Sequence, residues 1–266
     1  MALQCLKTLV VSTGFKLGLS IAKMTPIEDV EALLRRIHPV TTEHELIRIG
    51  CDGDGGYLVP DDLAGIQACF SPGVDNRATF EEALLARGIR CHLADASVDQ
   101  NPIDDARCTF RKRYLGVVNN DVFITADRWL DDEEPGGGDL LLQMDIEGAE
   151  WPVLLNISEN NLERFRVIVL ELHDIERLMD KHAFRIIQCV IDRLLAKFYV
   201  VHIHPNNYGG LVTARKIQIP RVLEMTLIRR DRVNCLSSAM QFPHPFDQAN
   251  TENLRDIVLP AACVGE

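Results

Sequence analysis

Long apolar runs are missing from this sequence, which argues against a membrane-spanning helix. No run reaches the ~18 apolar residues that a helix needs to cross a bilayer. The first apolar stretch, MALQCLKTLVVSTGFKLGLSIAKM, is interrupted by Lys16. A signal peptide would fit such a stretch. We instead predict a helical amino-terminal extension over residues 1–45, with weak peripheral contact to a membrane surface as an open alternative.

Positive charge is also scarce. The chain has 28 Lys and Arg residues against 39 Asp and Glu residues, for a net charge of −11 at pH 7. Nucleic-acid backbones and anionic membranes both attract proteins through a positive field. We therefore expect no nucleic-acid partner for this protein.

Paired cysteine motifs are absent as well. None of the eight cysteines forms a CxxC pair, so a zinc site built on them is not expected. Several cysteines lie inside apolar runs such as IQACF and IRCHL. Cysteines in such runs are typical of reduced, buried thiols, which predicts a cytoplasmic protein.

What the sequence does contain is a regular alternation of strand and helix patterns. Apolar runs such as IQACF, IRCHLAD, DLLLQMD and RVIVLELH predict buried strands, and AFRIIQCVIDRLLAKF predicts an amphipathic helix. This alternation, from about residue 66 to 230, predicts an α/β fold with a largely parallel sheet covered on both faces. The tail, residues 231–266, is predicted to be irregular and to pack on the domain.

Two predicted helices begin with cap-like patterns. Thr25 precedes Pro26, a residue that favours the first helical position. Thr79 and Glu82 have the spacing of a capping box, and Gly88 would end that helix.

A glycine turn follows the strand IQACF. In SPGVDNRATFEEA, Gly73 permits close approach of a ligand to the backbone, and the next helix offers free N–H groups. Asp95 ends the following strand, where an acid commonly accepts hydrogen bonds from ribose hydroxyls. GxGxxG is missing, which disfavours a dinucleotide, whereas an adenosyl cofactor needs only one close approach. An ordinary turn and a solvated acid remain the alternative interpretation.

The run LLLQMDIEGAEW, residues 140–151, leads a buried strand into three carboxylates. Unpaired buried charge is unfavourable, so these groups either reach solvent or bind something. We expect Glu147 and Glu150 in the first turn of the next helix, where negative charge is favourable. No capping role requires an acid at Asp145, which ends the strand.

Polar side chains also end the next two predicted strands. Because neighbouring strand ends meet at one edge of an open sheet, these residues are candidates for a functional site. A single histidine at a strand end is more often structural, but polar groups at three successive ends favour function. The residues are Glu171 and His173 in VIVLELHD, and His202, His204, Asn206 and Asn207 in VVHIHPNN.

Several segments resemble the FkbM-type methyltransferases, a branch of the class I S-adenosylmethionine-dependent enzymes. They are SPGVDNRATFEEALLARGIRCHLADAS, LLLQMDIEGAEWPVL, VIVLELH and IPRVLEMTLIRR. The resemblance covers about residues 46–230, which we predict to be the methyltransferase domain, and DIEGAE is its most specific piece. It implies a Rossmann-like, mostly parallel seven-stranded sheet with helices on both faces. Its last strand, here PRVLEMTLIRR, would be antiparallel.

The resemblance also implies a cofactor, S-adenosyl-L-methionine. Gly73, Val74 and Asp75 would line its methionine and sulfonium end, Asp95 would hold the ribose, and Asp145 would face the reactive centre. The turn SPGVDN departs from the acid-x-G-x-G pattern of better-known methyltransferases. Family members mostly methylate hydroxyl oxygens, often on sugars or natural products. A small-molecule or glycan hydroxyl is therefore the expected acceptor.

Two ways of activating such a hydroxyl fit these residues. His173 is the first candidate for a general base because histidine titrates near neutral pH, and Asp145 would orient it or bind substrate. Alternatively, a divalent cation such as Mg²⁺ or Mn²⁺ would lower the hydroxyl pKa. The predicted ligands of that cation are Asp145, Glu171, His173 and His204.

The acceptor would contact further polar residues. Asn206 and Asn207 suit a hydroxylated molecule, and Tyr57 in DGDGGYLVP is predicted at the pocket rim as a lid or stacking residue. One alternative function is a metal-dependent nucleotide-sugar glycosyltransferase, which DIE matches superficially but which requires basic residues for the diphosphate. The other is a non-catalytic protein that has kept the fold.

Overall fold

The structure, a computed structural model, describes residues 2–18, 22–239 and 241–264. Residues 1 and 19–21 of the predicted amino-terminal extension, and residues 240, 265 and 266 of the predicted carboxy-terminal extension, lie outside the described residues.

Helices and strands alternate through most of the chain. In chain order they are α1 (Ala2–Lys16), α2 (Ile27–Arg36), β1 (Val40–Thr41), β2 (Leu46–Ile49), β3 (Tyr57–Pro60), β4 (Ala68–Pro72), α3 (Thr79–Ala86), β5 (Arg90–Ala94), β6 (Cys108–Arg111), β7 (Tyr114–Gly116), β8 (Phe123–Thr125), α4 (Ala126–Glu133), β9 (Leu140–Met144), α5 (Glu150–Asn156), α6 (Glu159–Leu162), β10 (Phe165–Leu172), α7 (Lys181–Lys197), β11 (Phe198–Pro205), β12 (Leu211–Ala214), β13 (Ile217–Pro220), β14 (Leu223–Arg229), β15 (Ser237–Ser238) and α8 (Ala261–Val264).

A seven-stranded sheet forms the centre, in the order β11-β14-β10-β9-β4-β5-β6. The neighbours from β10 to β6 pair in parallel, and β14 is antiparallel to both β10 and β11. This confirms the predicted α/β class and the reversed direction of PRVLEMTLIRR. The parallel strands therefore place their carboxyl ends at one edge, where ligands bind in open α/β sheets.

Apolar side chains pack on both faces of this sheet. All five residues of β9 and all eight of β10 are buried, as expected for parallel strands covered on two sides. Helices α2, α4, α5 and α7 contribute to the core on one face. Helix α3 and the β2–β3 hairpin contribute to the core on the other.

Neither predicted threonine cap forms. Pro26 occupies the N-cap position of α2 without a side-chain cap, and the hydroxyl of Thr25 is buried without a partner among the described residues. Helix α3 begins at Thr79 itself, whose Oγ1 accepts a hydrogen bond from the Cys51 N–H. A tertiary contact with the preceding loop thus replaces the local capping box.

The two extensions meet at the surface. Strand β1 pairs with β15, and α8 packs near α2 and β13. Leu9 and Phe15 of helix α1 are exposed to solvent, and so is Leu17, which directly follows the helix. No helix among the described residues combines the length and apolar character needed to cross a bilayer.

The carboxy-terminal tail fastens to the sheet through polar contacts. Asn207, which follows β11, donates hydrogen bonds to the carbonyl oxygens of Thr251 and Leu254. His202 lies 2.7 Å from Asp247, and His204 Nε2 lies 3.3 Å from Asp256. His202 and His204 of β11, and Asn207 after it, thereby hold the tail in place.

Glu224 is buried in β14, between Glu171 on β10 and His204 on β11. Its Oε1 accepts a hydrogen bond from Asn250 Nδ2 at 2.5 Å, and its Oε2 is 3.8 Å from His204 Nδ1. Burial raises the pKa of Glu224 from 4.5 to about 8, despite the opposing effects of Asn250 and Arg48. The folded protein therefore holds a proton at Glu224 that the unfolded chain releases at lower pH.

Gly73 permits the closest backbone approach at the strand ends. Its φ is +84°, and a Cβ built there would lie 1.5 Å from the carbonyl oxygen of Asp145. Gly88, after α3, has a similar φ of +83° but no atom within 4 Å of the same position. The requirement at Gly73 thus comes from the Asp145 backbone as well as from conformation.

Replacing Gly73 by alanine should destabilise the fold far more than replacing Gly88. The left-handed conformation alone costs about 1 kcal/mol in Gly88→Ala. Gly73→Ala adds a backbone clash that forces β4 and β9 apart, and we expect a total loss of about 3 kcal/mol or more. Urea unfolding of the two variants measures the difference, and equal losses would contradict the close approach.

Replacing Glu224 by glutamine should flatten the pH dependence of stability. Because the folded-state pKa is raised, the stabilisation is complete below the unfolded pKa of 4.5 and declines as pH rises towards about 8. Calorimetric melting from about pH 5 to about pH 8 should therefore show a larger fall in Tm for the wild type than for Glu224→Gln. Removing the charge of Glu224 also removes one cause of the raised pKa of Glu171, which flattens the curve of the variant further, so parallel curves would refute the assignment to Glu224.

Candidate active site

The run DIEGAE forms a tight turn between β9 and α5. Asp145 follows the last residue of β9, and its N–H lies 3.4 Å from the carbonyl oxygen of Pro72 at the end of β4. Glu147 has a φ of +55° and Gly148 a φ of +98°, so the chain reverses within two residues. Glu150 then begins α5, as expected, but its side chain is completely buried rather than facing solvent.

The end of β10 meets this turn. Glu171 and His173 come from β10 and the residue after it, and Asp145 comes from β9 beside it. One ligand atom from each of these three residues lies within 4.8 Å of the others. We refer to Asp145, Glu171 and His173 as the strand-end cluster.

Two carboxylate oxygens in the strand-end cluster lack partners. Asp145 Oδ1 and Glu171 Oε2 are both buried without a hydrogen-bond partner among the described residues. The other oxygen of Glu171 accepts a hydrogen bond from Asn206 at 2.6 Å, and the residue is only 4% exposed. Leaving a buried acceptor unpaired costs about 1–3 kcal/mol, so such an atom indicates a missing proton, water or cation.

The pKa values of the two carboxylates in the cluster are shifted by their surroundings. Burial, and then the charge of Glu171, raises the pKa of Asp145 to about 8. Burial, and then the charge of Glu224, raises the pKa of Glu171 to about 8. Neighbouring acids that cannot separate disfavour simultaneous ionisation.

The pKa of His173 is raised as well, but by its neighbours and against the effect of burial. Burial lowers its pKa, but the hydrogen bond to Glu150 and the negative charges of Glu150 and Asp145 outweigh burial and raise the pKa to about 9. These neighbours favour the imidazolium form, which cannot accept a proton, so they oppose the predicted role of His173 as a general base.

Glu150 and Trp151 hold His173 from α5. Glu150 Oε1 lies 3.2 Å from His173 Nδ1 and also accepts hydrogen bonds from the N–H groups of Ile146 and Gly148. The indole N–H of Trp151 donates to the carbonyl oxygen of His173 at 2.8 Å. Both the ring and the backbone of His173 are thus fixed by consecutive residues.

A cavity of about 630 Å³ opens beside the strand-end cluster. It joins the glycine turn, the end of β5 and the DIEGAE turn in one space. Asp95 lies in its wall, where Oδ1 accepts hydrogen bonds from the N–H and hydroxyl of Ser97 at 2.7 and 2.6 Å. The predicted cofactor residues Gly73, Val74, Asp75 and Asp95 all line it, together with Asp54, Ala94, Ser97, Tyr114, Leu115, Phe123, Asp145, Ile146, Glu147 and Ala149.

Two aromatic rings also line this cavity. Tyr114 on β7 and Phe123 on β8 are partly exposed, with ring centroids 6.0 Å apart. Aromatic faces of this kind suit a planar ring system. Lys and Arg are absent from the lining residues that the structure describes.

Three other predicted site residues are engaged in structural contacts. His204 pairs with Asp256 and Glu224 and is not part of the strand-end cluster, so the predicted four-residue metal set is reduced to three. The side-chain amide of Asn207 binds the carboxy-terminal tail, so its role is structural and it does not serve to bind an acceptor molecule. Asn206 supports Glu171 directly.

Tyr57 is a further correction. It is 4% exposed, packs edge-on against Phe80 with centroids 5.6 Å apart, and its hydroxyl oxygen lies 3.5 Å from Gln143 Nε2. Burial, and then the charge of Glu171, raises the pKa of the phenol well above 10. Tyr57 therefore lies in the core behind the acids and not at the pocket rim, where the sequence predicted a lid. Asp54, from the loop that precedes it, does line the cavity.

Sequence reasoning missed several residues of this site. Glu150 was expected to be an ordinary helix-start acid, because the dipole explanation is sufficient on its own. Tyr114 and Phe123 lie on short strands that carry no motif, and Asp54 lies in a glycine-rich turn. The acidic positions in DIEGAE and VIVLELHD carried the signal that could have directed attention to the acids.

Comparison with known proteins identifies part of this architecture. Residues 120–194 match the family model described as the methyltransferase FkbM domain, and no curated protein matches the chain. The matched segment runs from before β8 into α7 and contains Asp145, Glu150, Glu171 and His173. Together with the seven-stranded sheet, this match confirms the resemblance over residues 120–194: that segment is similar to the methyltransferase FkbM domain and lies in a class I methyltransferase fold, which supports a methyltransferase.

Proposed function

We propose that the protein is an S-adenosyl-L-methionine-dependent O-methyltransferase that acts on a hydroxyl group of a small molecule, sugar or glycan. One observation carries this proposal: the glycine turn, Asp95 and Asp145 all line a single cavity. A methyl donor and an acceptor must meet in one space, because transfer is an in-line displacement.

The cavity fits an adenosyl cofactor. Both hydrogen bonds from Ser97 go to Oδ1 of Asp95, so Oδ2 has no partner among the described residues and suits a ribose hydroxyl. Tyr114 and Phe123 offer apolar faces to a purine, and the acids around the cavity favour a sulfonium charge. When bound, the cofactor supplies an electrophilic methyl group, and the protein supplies alignment and proton removal.

The strand-end cluster supports a divalent cation better than it supports a free base. His173 is protonated in the cation-free cluster, and two buried carboxylate oxygens lack partners. A cation held by Asp145, Glu171 and His173 would satisfy both oxygens and displace the proton. Its chemistry is to lower the pKa of a bound hydroxyl. Carboxylate and imidazole ligands are compatible with Mg²⁺ or Mn²⁺.

The alternatives receive less support from the same cavity. A nucleotide-sugar glycosyltransferase needs cations for a diphosphate, but the described lining residues include five carboxylates and neither Lys nor Arg. A non-catalytic role leaves the unpartnered oxygens of Asp145 and Glu171 without a purpose. Carbohydrate modification and a cytoplasmic location remain predictions.

Replacing Asp95 by alanine should weaken binding of S-adenosylhomocysteine by about 10- to 100-fold, because hydrogen bonds to a charged group are lost. Isothermal titration calorimetry on chelator-treated protein measures the change. Asp99→Ala is the matched control, since Asp99 is exposed, lies four residues further on and pairs with Lys112 at the surface. A wild-type protein that binds no S-adenosylhomocysteine, with or without added Mn²⁺, would refute the methyltransferase proposal.

Replacing Asp145 by asparagine should abolish Mn²⁺ binding, whereas His204→Gln should retain it. The first variant removes a charged ligand, and the second changes a residue that lies outside the strand-end cluster. Electron paramagnetic resonance of free Mn²⁺ quantifies both. Loss of binding in His204→Gln, with an unchanged melting temperature, would instead restore the four-residue ligand set.

A further inference from the structure

Glu150 has more contacts than a helix-start acid requires. It is completely buried and accepts hydrogen bonds from the backbone N–H groups of Ile146 and Gly148. These two bonds already explain its place in the turn. The third contact, 3.2 Å to Nδ1 of His173, has no structural need, because Trp151 already fixes the His173 backbone.

The surroundings of the imidazole determine which nitrogen carries hydrogen. Nδ1 faces two acceptors, Glu150 Oε1 and the carbonyl oxygen of Glu171, each at 3.2 Å. A nitrogen that faces only acceptors must donate, so Nδ1 bears the hydrogen. The other nitrogen, Nε2, points towards Asp145 Oδ1 at 3.9 Å and the exposed Glu147 Oε2 at 3.4 Å.

This arrangement is that of a metal-ligating histidine. Such residues usually donate their second ring N–H to a carboxylate or carbonyl group, which fixes the tautomer and raises the basicity of the ligating nitrogen. Here the donor is Nδ1, the acceptor is Glu150, and Nε2 faces the unpartnered oxygen of Asp145. Glu150 is thus a positioning residue that acts through His173.

The identity of the third ligand affects which cation is selected. Mg²⁺ prefers oxygen ligands and retains most of its water, whereas imidazole suits Mn²⁺ and the later transition metals progressively better. A histidine that adopts its ligating tautomer when the cation displaces the second ring proton therefore adds affinity for transition metals and little for Mg²⁺.

We propose that Glu150 fixes His173 as a neutral Nε2 ligand and thereby makes the Asp145–Glu171–His173 site select a transition-metal cation over Mg²⁺. This inference rests on the cation in the proposed function, but it does not depend on the identity of the acceptor or on methyl transfer itself. In the assembled site, Glu150 would balance part of the positive charge of the cation through the imidazole.

Glu150→Gln tests the inference, because glutamine has the same shape and keeps one acceptor oxygen. The amide cannot serve the two backbone N–H groups and Nδ1 as a carboxylate does. Glu81→Gln is the matched control: Glu81 is also a buried glutamate, but it binds Ser71 on β4 and does not contact His173. The probes are Mn²⁺ and Mg²⁺ alone, titrated into each chelator-treated protein by calorimetry.

We expect the wild type and Glu81→Gln to bind Mn²⁺ more tightly than Mg²⁺ by on the order of ten-fold or more. In Glu150→Gln, Mn²⁺ affinity should fall by about 10- to 100-fold while Mg²⁺ affinity changes much less. Nitrogen-15 NMR of His173 should show hydrogen on Nδ1 in the Mg²⁺-loaded wild type and a mixture of tautomers in Glu150→Gln.

Three outcomes would overturn the inference. Equal loss of both cations in Glu150→Gln would show that Glu150 only supports the turn. Equal wild-type affinities for Mn²⁺ and Mg²⁺ would remove the selectivity. Absence of any cation binding in a wild type that still binds S-adenosylhomocysteine would refute the metal site while leaving the methyltransferase proposal intact.

Discussion

Two carboxylates at neighbouring strand ends, Glu171 buried and Asp145 partly buried, are the constraint on which the rest of this site depends. Glu171 lies at the end of β10 and Asp145 directly follows β9, and because these strands pair in parallel the sheet holds the two residues close together. Burial raises the pKa of each to about 8, and each has an oxygen without a partner among the described residues. Such a pair is stable only when positive charge or a proton lies between its members. His173, held by Glu150, is oriented to share that role with the proposed cation.

The same geometry connects the acids to the cofactor side of the cavity. The backbone of Asp145 approaches Gly73 so closely that no side chain fits there, and this contact joins the ends of β4 and β9. Asp95 follows β5, one strand further on, and lines the same cavity. The matched FkbM segment, residues 120–194, contains Asp145, Glu171 and His173 but not the glycine turn. The family match therefore covers the strand-end cluster, and the sheet order brings the glycine turn and Asp95 to it.

Expectations from sequence succeeded where the pattern reflects burial and failed where it reflects local polar contacts. The apolar runs became sheet strands because strands buried on two faces are mostly apolar. Thr25 and Thr79 stand at positions typical of helix caps, yet neither caps a helix. Thr79 accepts a hydrogen bond from the preceding loop, and the hydroxyl of Thr25 is buried without a hydrogen-bond partner among the described residues. His204 shares its strand-end pattern with His173, but the carboxy-terminal tail supplies Asp256 as its partner. Long-range partners of this kind are invisible to a pattern of neighbouring residues.

The sequence by itself determined the α/β class, the position of the acids after apolar strands, and the glycine-plus-acid turn. These features follow from periodicity and from the conformational range of single residues, which are local properties. The tertiary structure alone decided that Asp145, Glu171 and His173 converge and that Tyr57 lies behind them in the core. It also decided that Glu150 turns inward to His173 rather than outward to solvent. The physical reason is that strand order and register, not chain spacing, set which strand-end side chains share one low-dielectric space.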